Sequence, residues 1–167
     1  MSNSTMKMKN ETSVVTVPSR SSLRLVPVLV IAALMAFYPT LTRADTIALS
    51  FTEGSAGPAI QNLTFGYTFT LSSPVLVTQL GLWDQGNDGL NASHVVSIWT
   101  STGTQEAQVT IPSGTGATLT NGFRYVSIPS VLLPAGSYTI GGFYSRNTDN
   151  FAYFASTITP ASGVTLQ

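Results

Sequence analysis

The oxygen-bearing side chains able to hold a metal ion or work on a sugar are concentrated in two short stretches. The first is Trp83-Asp84-Gln85-Gly86-Asn87-Asp88-Gly89-Leu90-Asn91. Calcium takes several oxygen ligands from a flexible loop, and carboxylates spaced with Asn and Gly supply them. Asp84, Asn87 and Asp88, helped by backbone carbonyls, are therefore the candidate calcium ligands, and calcium is the one cofactor the sequence suggests. Laid on an EF-hand loop, Asp84, Asp88 and Gly89 fit the first, fifth and sixth positions. Gly86 and Val95 then stand where a third-position ligand and the closing bidentate Glu are needed, which excludes an EF-hand. The simpler use of these residues is structural, with Asp88-Gly89 making a turn while Asp84 and Asn91 hydrogen-bond nearby backbone. A glycosidase pair from Asp84 and Asp88 is disfavoured, because an exposed Gly-rich loop cannot desolvate either acid enough to raise its pKa.

The second stretch runs from Phe143 to Phe154. Its polar loop flanked by aromatics makes Tyr144, Arg146, Asn147, Asp149 and Tyr153 the candidate glycan contacts, rings against sugar faces and polar groups against hydroxyls. The plainer reading is two strands joined by a solvated loop, with the aromatics filling the interior. His94 is the single histidine and there is no cysteine. The usual zinc sets and a thiolate nucleophile are thus unavailable. A Ser–His–Asp hydrolase centred on His94 is a weak third option, since no Gly-x-Ser-x-Gly elbow follows residue 44. His94 is expected to be structural, its ring bonded to the Asp/Asn loop before it. Arg124, between Phe123 and Tyr125, is expected to serve a cross-strand or aromatic partner rather than an anion.

Short strands must position these residues. Val75–Trp83 alternates, with Leu76, Leu80 and Leu82 on one side and Val75, Val77 and Trp83 on the other. His94–Thr100 and Ala107–Ile111 alternate as well, and Phe65–Leu71, Phe123–Ile128, Ser137–Tyr144 and Phe151–Ala155 continue the pattern. Asp88-Gly89 and Asn121-Gly122 supply turns, Pro112, Pro129 and Pro134 mark strand ends, and Gly141-Gly142 signals a bulge or a close backbone approach. The expected fold is all-β, an antiparallel two-sheet sandwich of jelly-roll type.

Ahead of it stands an address. The uncharged run Leu25–Tyr38, about 14 residues, follows a polar segment carrying Lys7, Lys9, Arg20 and Arg24. It is short of the ~20 residues a spanning helix needs and matches a secretory core, with Thr42-Arg43-Ala44 as its exit. Residues 1–44 are thus expected to be a signal peptide and 45–167 a single sandwich domain, with an uncleaved anchor as the alternative. The 7 basic and 7 acidic residues of the whole chain divide unequally across that boundary. Residues 45–167 keep only Arg124 and Arg146 against Asp45, Glu53, Asp84, Asp88, Glu106 and Asp149. Such a domain has no basic surface for nucleic acid.

Several ordered blocks add a resemblance. Val77-Thr78-Gln79-Leu80-Gly81-Leu82-Trp83-Asp84, Asn87-Asp88-Gly89-Leu90 and Ser93-His94-Val95-Val96-Ser97-Ile98-Trp99-Thr100 form the first group. Gly122-Phe123-Arg124-Tyr125-Val126-Ser127-Ile128 and Leu133-Pro134-Ala135-Gly136-Ser137-Tyr138-Thr139-Ile140-Gly141 follow. Together, over roughly residues 46–155, they resemble an uncharacterised β-sandwich domain of exosortase-sorted bacterial surface proteins, the PEP-CTERM group. The resemblance implies an exported envelope or extracellular-matrix protein and assigns no catalytic residue. That group's Pro-Glu-Pro motif, spanning helix and basic cluster have no counterpart before Gln167. Membrane contact is expected only through an uncleaved leader or a C-terminal anchor missing from the sequence. The leading expectation is a non-catalytic exported module meeting extracellular polysaccharide or other surface proteins. A carbohydrate-binding module, calcium-assisted or not, is the alternative.

Overall fold

Apolar–polar alternation over short runs makes strands, and the Gly, Asn and Pro between them make turns. The computed structural model describes residues 4–9 and 45–167. Its strands are β1 (Ser4–Lys9), β2 (Thr46–Ile47), β3 (Leu49–Pro58), β4 (Leu63–Leu71), β5 (Val75–Trp83) and β6 (His94–Thr100). They continue as β7 (Gln105–Ile111), β8 (Thr118–Thr120), β9 (Phe123–Leu133), β10 (Gly136–Tyr144), β11 (Asn150–Pro160) and β12 (Val164–Leu166). Among the described residues a 3-10 turn, Gln85–Asn87, follows β5.

Two five-stranded sheets, β2-β1-β5-β9-β8 and β12-β4-β10-β6-β7, pack into a sandwich, and β11-β3 form a separate ribbon. Every pairing is antiparallel. The pairs nest: β3 with β11, β4 with β10, β5 with β9, β6 with β7. A long antiparallel ribbon folded over on itself in this way is a jelly roll. The all-β sandwich expected from the alternation is therefore the fold.

The main core lies between the sheets. Met6, Val77, Leu80 and Leu82 from one sheet meet Phe69, Val96, Ile98 and Ile140 from the other, among further buried residues. Each fully buried side chain of this size contributes ~1.5–3 kcal/mol relative to exposure. A smaller cluster of Trp83, Phe123, Tyr125 and Ala152 takes Phe51 of the ribbon against it, the Phe51 ring centroid 5.5 Å from that of Trp83.

Three local features depart from simple alternation. A β-bulge at Thr78 gives β5 one residue more than β1, since Lys7 pairs with Gln79 and Met8 with Val77. It rotates Val75 and Val77 onto the same core face as Leu80 and Leu82, where an unbroken strand would have separated them. Strand β9 runs through Pro129 to Leu133, and its pairing with β5 is interrupted around that proline, which cannot donate a ladder hydrogen bond. Gly141 marks a close approach rather than a bulge: β10 keeps its register throughout, and a Cβ at Gly141 would lie 2.8 Å from Thr64 Cγ2.

The boundary expected at residues 44 and 45 is crossed by β1. Ser4–Lys9 pairs with both β5 and β2, and Met6 and Met8 are buried. Its alternating Met-Lys-Met pattern suits a strand with one face on the core. The apolar run 25–38 and the exit Thr42-Arg43-Ala44 lie outside the described residues.

Gly81 offers a direct test of the packing around β5. The Tyr125 ring crosses it, so that a Cβ there would sit 2.6 Å from a ring carbon. Gly81→Ala should cost about 1–3 kcal/mol through overpacking, read as a lower urea midpoint with an unchanged slope.

Candidate functional site

Both chemistry-bearing stretches emerge at one end of the sandwich. The β5–β6 connection carries Asp84 to Ser93, and the β10–β11 connection carries Ser145 to Asp149. Two buried ion pairs organise them.

The first pair joins Asp84, just past β5, to Arg124 on β9. Leu82 and Arg124 are register partners, so the arginine leaves its strand beside the end of β5. Its Nε donates to Asp84 Oδ2 at 2.8 Å, Nη2 to the Asn87 carbonyl at 3.0 Å, and Nη1 to the Thr115 and Ala117 carbonyls at 3.1 and 3.2 Å. The Asp84 carboxylate also accepts the Gly89 N–H at 3.0 Å. Asp84 and Arg124 are 2% and 4% exposed. A planar guanidinium with five donors can bind several acceptors at once, and here it ties the 84–90 loop to the 115–117 segment. Asn87 holds φ at 62° inside that loop, the left-handed conformation Asn tolerates better than most residues.

The second pair joins His94, the first residue of β6, to Asp149. His94 Nε2 lies 2.7 Å from Asp149 Oδ2 and Nδ1 lies 2.8 Å from the Phe143 carbonyl. Both ring nitrogens thus have a partner at hydrogen-bond distance. The ring is completely buried and leans on Tyr144, with centroids 4.8 Å apart. Asp149 also accepts the Asn91 N–H at 2.8 Å and the Ala92 N–H at 3.0 Å. Burial raises the Asp149 carboxyl, but the bonds from His94, Asn91 and Ala92 and the charge of His94 together outweigh it. The net result is a pKa below the usual carboxylate value. His94 thus reaches the preceding loop through Asp149 rather than by a direct bond.

The candidate calcium ligands are directed apart by this arrangement. Asp84 faces inward onto Arg124, Asn87 gives its carbonyl to the same guanidinium, and Asp88 is exposed. The guanidinium gathers the carboxylate and carbonyl oxygens that a cation would otherwise collect. Among the described residues no group of three His, Cys, Asp or Glu side chains is placed to hold a metal ion. Of the glycan candidates, Tyr144 is fully buried and Asp149 is occupied as described, whereas Arg146, Asn147 and Tyr153 are exposed. The two stretches do meet in a polar cleft of about 290 Å³, with Gln85, Asp88 and Asn91 on one side and Thr148 and Asn150 on the other. Asn91 Nδ2 crosses to the Thr148 carbonyl, and Asn150 Nδ2 donates to Gln85 Oε1.

A second recess lies on the outer face of the β4-β10-β6 sheet. Register places Gly66 opposite Gly141 and Gly141 opposite Ser97, a row of small residues crossing three strands. Thr68, Thr139 and Trp99 line one side of that row, and Thr64 and Phe143 the other. The larger hollow is about 550 Å³, and a smaller one of about 230 Å³ shares Thr64, Trp99 and Gly141 with it. No charged side chain lines either hollow. Trp99 and Phe143 escape a reading of the sequence by loops, because their strands lie far apart in the chain. The available signal was Thr64-Phe65-Gly66-Tyr67-Thr68, where Thr and Gly fill the outward positions of a strand. Comparison of the chain with protein-family models, with curated proteins and with solved structures returned no match.

Two measurements check the clamps. Arg124→Met leaves the Asp84 carboxylate buried without its cation and should cost about 3–5 kcal/mol in denaturant unfolding, with part of the loss recovered in Asp84→Asn/Arg124→Met. The lowered pKa of Asp149 stabilises the fold above the unfolded carboxyl value of about 3.9, and that contribution is lost as pH falls towards the folded value. Asp149→Asn should accordingly be less stable at neutral pH and lose less stability than the parent as pH falls below about 4.

Proposed function

We propose that this chain is a non-catalytic, exported β-sandwich module of the bacterial envelope or extracellular matrix, related to the exosortase-sorted surface proteins its sequence blocks resemble. One observation carries the non-catalytic part. The single imidazole is fully buried with both nitrogens engaged, and its carboxylate partner is spent on His94 and two backbone amides. General acid–base catalysis needs such a group within hydrogen-bond reach of a substrate proton. Export is supported by the apolar run Leu25–Tyr38 and the small-residue exit at Ala44. The scarcity of charge and the richness in Ser and Thr suit a surface that meets polysaccharide or other surface proteins.

A second reading, carbohydrate binding, is favoured by the uncharged recess over Gly66, Gly141 and Ser97. Trp99 and Phe143 offer ring faces there, and Thr64, Thr68 and Thr139 offer hydroxyls. Sugar rings stack their C–H faces on aromatic side chains and hydrogen-bond through their edges, so neutral glycans are the class this lining suits.

The two readings separate on a glycan array run with and without calcium, using the parent and Trp99→Ala. A binder using the recess should select neutral glycans, lose about tenfold or more in affinity in Trp99→Ala, and show no response to calcium. Silence of the parent in both conditions would remove the carbohydrate reading and leave the structural one. Turnover of ester or glycosidic substrates that survives purification and disappears in His94→Ala would overturn the non-catalytic reading.

A further inference from the structure

Strand β5 has β9 on one side and β1 on the other, and β2 follows β1. Because β1 is antiparallel to both neighbours, β2 runs parallel to β5. β2 therefore cannot replace β1 in an antiparallel sheet, and β3, after a bend at Ala48, pairs among the described residues only with β11. β11 starts near the end of β5, where Asn150 meets Gln85, and the chain after it meets Ser72 ahead of β5, so it has the required direction. In a jelly roll with this nesting, the outermost pair completes the second sheet beside β5.

The chain at the two ends of β11 comes close to the two ends of β5. Asn150, the first residue of β11, donates to Gln85, two residues past the last residue of β5. Ala152 packs in one cluster with Trp83, and Phe151 stacks on Phe65 with ring centroids 3.6 Å apart. Beyond the other end, the Gly163 carbonyl accepts the Ser72 N–H at 3.0 Å, three residues before β5 begins. β11 has 11 residues and β5 has 9, so the lengths correspond. The β3–β11 register nevertheless shifts at three places. A ribbon with no further neighbour to specify its pairing behaves in this way.

We propose that the edge of β5 is a strand-acceptor surface whose resident strand in the domain of residues 45–167 is β11, and that Ser4–Lys9 holds the place only while it stays attached. When β1 leaves, β11 moves in laterally, pairs antiparallel with β5, and brings Phe151 and Tyr153 towards the volume that Met6 and Met8 vacate. Tyr153, 43% exposed here, gains burial. An unpaired β5 would be a long apolar sheet edge and an aggregation site, so the exchange also keeps the domain monomeric. Only the occasion of the exchange rests on the proposed export, since cleavage after Ala44 would remove β1; the acceptor surface itself does not.

Amide hydrogen exchange on the full chain tests this. Met6→Asp/Met8→Asp removes the apolar anchors of β1 and alters neither β5 nor β11. The expected result is a folded monomer in which the β5 amides that faced β1 stay within about tenfold of parent protection while β11 amides gain about tenfold or more. The chain has no cysteine, so a disulfide in Lys7→Cys/Gln79→Cys, made at a register pair, locks β1 in place and should leave β11 at its parent protection. Free exchange along β5, protection regained only in a concentration-dependent dimer, or loss of folding in the Asp variant would each overturn the proposal. N-terminal sequencing of exported protein reports separately on the leader: a start at Asp45 supports cleavage, a retained Met1 refutes it, and the exchange result stands in either case.

Discussion

The buried guanidinium of Arg124 is the interaction on which the loop end of this protein depends. A charge removed from water costs several kcal/mol unless its partners replace the solvent, and four acceptors do so here. Those acceptors come from the residue after β5, from the 3-10 turn and from the segment leading to β8. Satisfying one cation thus fixes three stretches of chain at once. His94 and Asp149 act likewise one layer away, joining the start of β6 to the end of β10 and to the backbone of Asn91 and Ala92. A chain without cysteine cannot staple its loops covalently, and these two clamps hold connections that would otherwise fray.

The same constraint decides what the loops can do. Of the two basic residues in 45–167, Arg124 is spent internally and Arg146 remains exposed. Three of the six acids in that span are Asp84, Asp88 and Asp149, and the two buried ones are already engaged by Arg124 and His94. Residues that look like ligands or catalysts in a list are here the structural members of a scaffold. The charges left on the surface are few, and its most featured part is the uncharged sheet face around Trp99 rather than the Asp-rich loop.

The all-β fold was legible because alternation with period two and Gly, Asn and Pro punctuation are local properties. His94–Thr100 and Val75–Trp83 have the same bounds as strands β6 and β5. Anything that depends on a partner far away in the chain was hidden. Arg124 lies 40 residues from Asp84, and His94 lies 55 from Asp149, so no local pattern announces either pair. The bulge at Thr78 was equally silent, because it belongs to the pairing of β5 with its neighbours and not to β5 alone. Both polar loops were legible as loops, but which of their oxygens face inward is settled by the arginine and the histidine they meet. The recess was illegible for a related reason: Gly66, Gly141 and Ser97 become one row only when three strands take up register.

Register also explains how a six-residue segment far ahead of the other strands in the chain can join the sandwich. Ser4–Lys9 supplies Met6 and Met8 to the core and sets Lys7 Nζ 4.6 Å from the centre of the Tyr125 ring, yet its sequence demands nothing of β5 beyond an open ladder. Main-chain pairing is indifferent to sequence, and methionine fills irregular apolar space without a unique shape. A strand held in these terms is replaceable by any other of suitable direction and length. The nesting of β4 with β10 and of β5 with β9 leaves β3 and β11 as the outermost pair, and the ends of β11 come close to those of β5. On the exchange proposed above, chain topology provides the position beside β5 and the N-terminal strand occupies it.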